Sequence, residues 1–383
     1  MRPGVVLASY LVETSQPEEP MMQTRLAPEQ KHTLFRDGYV IVRGAIAPEL
    51  VANANARVKA AQKGESLAMD RTMLDLVNAS AVTPIVHDAL GPFDAPSVCH
   101  IAFRKPAPPG AHFNSLGYRD RDMPYWGSNL HAEGLCSMAV PQEVHEGTPD
   151  EIYRRFVALG PKGDLGRSPD VIGANAVPLF EDRDMTIACG NISLFVFACL
   201  SPQTEPGWGQ TALLPRSHHS LARFFRWQRE TNGRLGPEGP GWPRLDHNVP
   251  NRCGHVYTPQ GILDEFITPE CETTPDGRRW PKATLALMEP GDVLITSGLM
   301  IHDGSRNELG NQSRKTVIYR LRANSRQPNI VHTGGHDHPD RGPRGEWLQF
   351  EPGNDPWARA REAMCHPWAE WQGMQEVIAE AGA

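Results

Sequence analysis

His302 closes the apolar run Asp292-Val-Leu-Ile-Thr-Ser-Gly-Leu-Met-Ile-His302, and Arg314 opens another run twelve residues later. An imidazole at the end of one strand and a guanidinium at the start of the next would face a common space. One is a metal ligand, and the other is a planar fork that grips carboxylates through paired hydrogen bonds. His131-Ala132-Glu133 offers the remainder of such a centre. Side chains two apart on a strand share a face, so His131 and Glu133 could reach one ion. With His302 they would make a two-histidine, one-carboxylate Fe(II) site. Its three remaining octahedral positions would suit a bidentate α-keto acid and dioxygen.

Each residue also has a plainer reading. With fifteen histidines in the chain, a chance His-x-acid match is expected. A rival, His338-Pro339-Asp340, lies in a Gly- and Pro-containing polar stretch that reads as a solvated turn, because Pro disfavours regular strand pairing. His100 and the pair His218-His219 read as buried, hydrogen-bonded histidines. Arg314 suits either a surface ion pair or a carboxylate anchor, and its spacing from His302 favours the anchor. Ser305 and Asn307, in the turn after His302, are placed to bind the same ligand or to hold that turn in shape.

Around these residues the sequence predicts helices over 28–36 and 48–61, each opened by a proline. A further helical stretch, 69–90, should break near Pro84. Asp37-Gly38 turns into the β-branched strand 39–44, and 97–104 reads as another strand. Strands are then expected at 128–131, 135–140, 185–187, 193–200, 211–215, 284–288, 292–295 and 316–322. Insertions interrupt them at 142–181 and 226–282, the second far longer than an ordinary connection. Trp227, Trp242, His255, Tyr257 and Trp280 make that second insertion either a lid over the site or a segment packed on the barrel. The tail has helical composition, with Trp357, Trp368 and Trp371 as docking residues. Short helices before many short strands fit a mainly β protein with flanking helices and a jelly-roll core.

Several segments resemble phytanoyl-CoA dioxygenase-like proteins. Leu26-Ala-Pro-Glu-Gln30 with Phe35-Arg-Asp-Gly-Tyr-Val-Ile-Val-Arg-Gly44 is similar to that family's opening. Gly209-Gln-Thr-Ala-Leu-Leu-Pro215-Arg-Ser217-His218 resembles its Gly-x-Leu-x-x-x-Pro-Gly-Ser-His segment, with Thr211 for the leucine and Arg216 for the second glycine. Pro290-Gly-Asp292 through His302, Asn307 and Arg314 resembles its C-terminal signature, and the islands keep the family's order across 26–322. The resemblance implies a double-stranded β-helix (a cupin-like jelly roll) binding Fe(II) and 2-oxoglutarate and reacting with dioxygen. His131, Glu133 and His302 then take the metal positions, and Arg314 grips the distal carboxylate of 2-oxoglutarate. Glu133 stands where Asp is usual, and Arg314 lies one residue further from His302 than is common. The implied reaction is oxidation of an unactivated C–H bond, by default hydroxylation, in a small molecule such as a secondary metabolite. The carboxylate ligand disfavours halogenation. A binding protein of the same fold without catalysis, and a cupin-like metalloenzyme that does not use 2-oxoglutarate, are the alternatives.

Bulk properties narrow the partners. The chain has 383 residues and a formal charge of −7, so nucleic acid is not an expected partner. No run approaches the roughly 18 apolar residues of a membrane span. Seven cysteines without CxxC spacing read as buried free thiols in a reducing, cytoplasmic setting. The expected organisation is an extension over 1–23, one oxygenase domain over 24–350 and a helical tail over 351–383, with oligomeric state unreadable.

Overall fold

Pro28 and Pro48 open helices where a missing N–H costs nothing, giving α1 (Pro28–Asp37) and α2 (Pro48–Ala60). In α1 the Ala27 N–H donates to Gln30 Oε1 at 2.8 Å. The chain is described here from a computed structural model covering residues 23–111, 119–122, 130–132, 136–137, 187–188, 192–230, 260–274, 277, 279–325, 330–332, 346–348 and 364–382. The expected helix over 69–90 is two helices, α3 (Arg71–Asn78) and α4 (Val82–Leu90). The break falls at 79–81 and not at Pro84, because Pro84 sits in the first turn of α4, where a proline needs no hydrogen bond.

In chain order the strands are β1 (Tyr39–Val42), β2 (His100–Arg104), β3 (Cys136–Ser137), β4 (Ile187–Ala188), β5 (Leu194–Cys199), β6 (Thr211–Leu213) and β7 (Glu272–Thr273). They continue as β8 (Arg279–Trp280), β9 (Thr284–Leu285), β10 (Val293–Ser297), β11 (His302–Gly304), β12 (Arg314–Leu321), β13 (Ile330–His332) and β14 (Glu346–Leu348). Two antiparallel sheets dominate. The larger runs β1-β10-β5-β12-β2 and the smaller β11-β6-β9, with His131 bridged to the outer side of β11.

The central strands β5 and β10 of the larger sheet are buried along their whole length, and strand alternation divides the sheet's residues between two cores. Leu194, Val196, Ala198, Val293, Ile295, Val317 and Tyr319 face a layer containing α1–α4 and the C-terminal Trp368 and Trp371. Phe195, Phe197, Cys199, Leu294 and Ile318 point the other way and meet Leu213, Ala286 and Met288 of the smaller-sheet region. Each buried Phe of this second set contributes on the order of 1.5–3 kcal/mol relative to an exposed one. Helical layer, sheet, apolar interior, sheet is the order through the molecule.

The turn between α1 and β1 locks these layers together. Gly38 adopts φ +82, and a Cβ there would lie 2.3 Å from His218 Nδ1, so only glycine fits. The Arg216 N–H donates to Asp37 O, the Ser297 N–H to Gly38 O, and His218 Nε2 bonds Phe35 O at 2.9 Å. The Pro290-Gly-Asp292 turn does similar work at the far end of β10. Asp292 accepts from Arg43, from the Gly44 N–H and from the Glu289 N–H, which ties β1 to β10.

Residues 217–230 form a helix, Ser217–Glu230, that runs into the expected long insertion. The described remainder of that insertion includes the helix Gln260–Asp264 and the β7–β8 hairpin, with Trp280 only 2% exposed. Trp280 is thus buried, and its strand packs on the Gln260–Asp264 helix of the same insertion. Trp242, His255 and Tyr257 lie outside the described residues, as do 1–22, 142–181, the histidine-rich 336–340 stretch and Trp357. Trp368 and Trp371 dock as expected. Cys99, Cys199 and Cys365 are buried free thiols, and Cys271 is a half-buried one.

Two predictions follow from the His218 region. Arg216 is exposed and is the one non-glycine at positive φ among the described residues, at φ 73. Arg216→Gly should raise stability by about 1 kcal/mol, read as a higher denaturant midpoint. His218 is held neutral, because burial first and neighbouring His219 second lower its pKa to about 3. Between about 6.5 and that value the unfolded chain binds a proton that the folded chain refuses. This group should therefore cost about 1.4 kcal/mol of stability per pH unit as pH falls through that window. Urea unfolding at several pH values should show the slope in the wild type and a shallower one in His218→Gln.

Candidate functional site

β11 is three residues long because it has one task, to carry His302 and Gly304 past β6 on one side and His131 on the other. His302 pairs with Leu213, Asp303 with Ala212 and Gly304 with Thr211. On the opposite edge His131 and His302 exchange both backbone hydrogen bonds, at 3.1 and 2.9 Å. Directly opposed residues project to the same face. The two imidazoles accordingly lie with ring centroids 5.0 Å apart and 42° between planes. Metal–nitrogen bonds of about 2.0–2.1 Å put two adjacent imidazole ligands at roughly this centroid spacing.

His302 is oriented for such a role. Its Nδ1 bonds Met300 O at 2.8 Å, which places the lone pair on Nε2. Phe195 and Phe197 stand 5.3 and 5.6 Å from its ring and wall that side of the space with carbon. His131 is 9% and His302 6% exposed. Glu133, the expected carboxylate, lies outside the described residues. Among those described, no group of three or more His, Cys, Asp or Glu side chains comes together to hold a metal.

Arg314 is the first residue of β12, and with 5% exposure it is no surface ion pair. Residues 314, 316, 318 and 320 alternate onto the interior side of the sheet, the side of Ile318 and Phe195. Its Nε–H donates to Gly209 O at 2.6 Å. Burial, and then the Arg104 charge, push the guanidinium down to about 10 while Asp303 pulls the other way, so at neutral pH it is a desolvated cation. Gly304 lies against it, since a Cβ at that position would be 3.1 Å from Arg314 Nη2.

Ser305 and Asn307 divide. Asn307 holds the turn, its Nδ2 donating to Arg104 O at 2.8 Å and to Gln312 O at 2.9 Å. Its amide nitrogen is thereby committed to backbone, and the longer connection from His302 to Arg314 is braced from within. Ser305 is buried and its Oγ has no hydrogen-bond partner among the described residues. Two residues escaped the sequence reading. Arg104 stands directly across from Arg314 in the β2–β12 ladder, and Thr211 stands across from Gly304 with a buried, unpartnered hydroxyl. Thr211 carried a signal, as the polar replacement of a leucine in its motif. Arg104 carried none, because only the strand register brings it here.

No family model matches the chain, and no curated protein matches it. Among solved structures, similarity extends to HygX from Streptomyces hygroscopicus with iron bound, at 13% identity, with 78% of this chain and 86% of that chain covered and a TM-score of 0.37. The α-ketoglutarate-dependent epimerase SnoN from nogalamycin biosynthesis is similar at 11% identity, with 77% and 82% covered and a TM-score of 0.35. The carbocyclase SnoK of the same biosynthesis gives 12% identity, 78% and 85%, and 0.36. Likenesses this weak assign neither chemistry nor family to the chain.

Loss of the Asn307 brace should be felt as stability. Asn307→Ala removes two part-buried hydrogen bonds to backbone carbonyls and should lower unfolding free energy by about 1–2 kcal/mol, measured by chemical denaturation.

Proposed function

We propose that this chain is an Fe(II)- and 2-oxoglutarate-dependent oxygenase that oxidises a C–H bond of a small molecule. One observation carries the reading: the histidine pair stands at His302, and the buried Arg314 guanidinium of β12 lies against Gly304, two residues further along β11. At about 3.3 Å per residue that separation is about 7 Å. A five-carbon diacid whose keto-acid end lies at the histidines brings its far carboxylate to Arg314 over such a span. The unpartnered buried hydroxyls of Thr211 and Ser305 suit a polar ligand at that end, as does a guanidinium whose Nη side is turned toward Gly304.

Strand order supports the same reading. The series β2-β12-β5-β10 in one sheet and His131-β11-β6-β9 in the other follows the order of a double-stranded β-helix, with the chain crossing between sheets at each step among these strands except from β6 to β9. In that arrangement the phytanoyl-CoA dioxygenase-like segment from Pro290 to Arg314 spans the strands that carry His302 and Arg314. We assign Glu133 as the third metal ligand, because the His-x-acid spacing of an extended chain would direct both side chains to one face.

Iron with 2-oxoglutarate and dioxygen would supply the oxidising power, coupled to decarboxylation of 2-oxoglutarate to succinate and CO2. The chain's own residues do the rest. His131, His302 and Glu133 would hold the metal, and the Met300 carbonyl, by accepting from Nδ1–H, selects the tautomer of neutral His302 whose lone pair is on Nε2. Arg314 fixes the orientation of the co-substrate by its distal carboxylate, through a fork that lysine could not reproduce. Phe195, Phe197 and Ile318 line the same interior with apolar surface and keep bulk water from the reacting bond. Hydroxylation is the outcome we assign, in a protein acting in the cytoplasm.

Anaerobic addition of 2-oxoglutarate to the Fe(II)-loaded protein should produce a weak visible charge-transfer band. His302→Ala should lose it. Arg314→Gln should weaken 2-oxoglutarate binding roughly 100-fold. A wild-type protein with no band contradicts the iron reading, and an Arg314→Gln protein with unchanged affinity contradicts the anchor.

A further inference from the structure

Arg104 ends β2 directly opposite Arg314. Like charges at directly opposed positions on one sheet face destabilise the pairing. The surrounding structure nonetheless keeps both guanidiniums together. Arg104 Nη2 donates to Gly304 O at 2.9 Å. A Cβ on Gly304 would lie 3.1 Å from Arg104 Nη2 and 3.1 Å from Arg314 Nη2, so the glycine is what lets both approach. The two nitrogens are thus at most about 6 Å apart, a distance at which two cations repel unless an anion is shared.

Two further features seat Arg104. Asn307 Nδ2 holds its carbonyl, and Gly209 at φ +81 leaves room for its stem, since a Cβ there would meet Arg104 Cγ at 3.1 Å. The Gly209 carbonyl also takes the Nε–H of Arg314, so one glycine serves both arginines. Neither arginine has a carboxylate partner among the described residues, and each spends only one N–H bond on backbone. Of the five N–H donors on each guanidinium, the remainder are available to an anion.

We infer that Arg104 is a second arm of the carboxylate clamp. With Arg314 it grips the distal carboxylate of 2-oxoglutarate, and it sets the preference for 2-oxo acids that carry a second carboxylate. The inference rests on the 2-oxoglutarate reading above. Arg314 supplies the buried fork, and Arg104, less buried at the end of its strand, closes on the ligand from the opposite strand. A single carboxylate between two guanidiniums removes the repulsion that the empty pairing carries.

Calorimetry under anaerobic conditions on the Fe(II)-loaded protein tests this with two probes, 2-oxoglutarate and 2-oxobutyrate, which lacks the distal carboxylate. Arg104→Gln should weaken 2-oxoglutarate binding roughly 10- to 100-fold and leave 2-oxobutyrate within about two-fold of wild type. Arg104→Lys, which keeps the charge without the fork, should fall between. Its thermal midpoint should stay at the wild-type value, which separates a binding role from a packing role. Equal loss of both ligands, or wild-type affinity for both, overturns the second arm. If Arg314→Gln loses 2-oxoglutarate while Arg104→Gln does not, only this inference fails. If the wild type binds no 2-oxoglutarate, the proposed function fails with it.

Discussion

The central strands β5 and β10 of the β1-β10-β5-β12-β2 sheet have to satisfy two buried surfaces at once. On β5 this makes each residue apolar and assigns alternate ones to opposite layers, with Leu194, Val196 and Ala198 against the helices and Phe195, Phe197 and Cys199 against the second sheet. The same alternation on β12 sends Val317 and Tyr319 to the helices and Arg314, Thr316, Ile318 and Arg320 inward. A cation on the inward set is costly unless something compensates it. The inward side is therefore carbon around His302 and charge around Gly304. That division into an apolar end and a cationic end is what the proposed chemistry uses.

The cationic end depends on glycines more than on the arginines themselves. Gly304 lacks the Cβ that would push both guanidiniums away, and Gly209 gives its carbonyl to one arginine and its empty side to the other. Asn307 then fixes the turn between β11 and β12 so that register brings Arg104 and Arg314 opposite each other. The histidine end is set in the same way by backbone. His131 and His302 owe their proximity to a reciprocal pair of main-chain hydrogen bonds, and the orientation of His302 to the Met300 carbonyl.

Much of this was legible in the sequence where local signals and tertiary demands agree. The prolines before α1 and α2, the Asp37-Gly38 turn and the apolar runs of β5 and β10 gave elements within a few residues of those observed. The spacing of His302 and Arg314 gave the two ends of a site. Less legible was whatever depends on partners far along the chain. Arg104 reads as the polar end of a strand until β12 is laid beside it, and its role then follows from register alone. Residues 226–230 read as the start of a loop-like insertion, whereas the helix that begins at Ser217 continues through them. Pro84 reads as a helix breaker, but it occupies a first turn, where proline is tolerated. Arg216 departs from the glycine of its motif and still takes a left-handed conformation, because its N–H is needed at Asp37 O.

The central claim is that His131 and His302 hold one metal ion while Arg314 holds the far carboxylate of a bound 2-oxo diacid. A crystal structure of the protein grown anaerobically with Fe(II) and 2-oxoglutarate tests all three placements in one measurement. The account predicts metal density between the two imidazoles, completed by Glu133, and the distal carboxylate within hydrogen-bonding distance of Arg314. Metal bound away from the histidine pair, or 2-oxoglutarate lying with neither end at these residues, would contradict it.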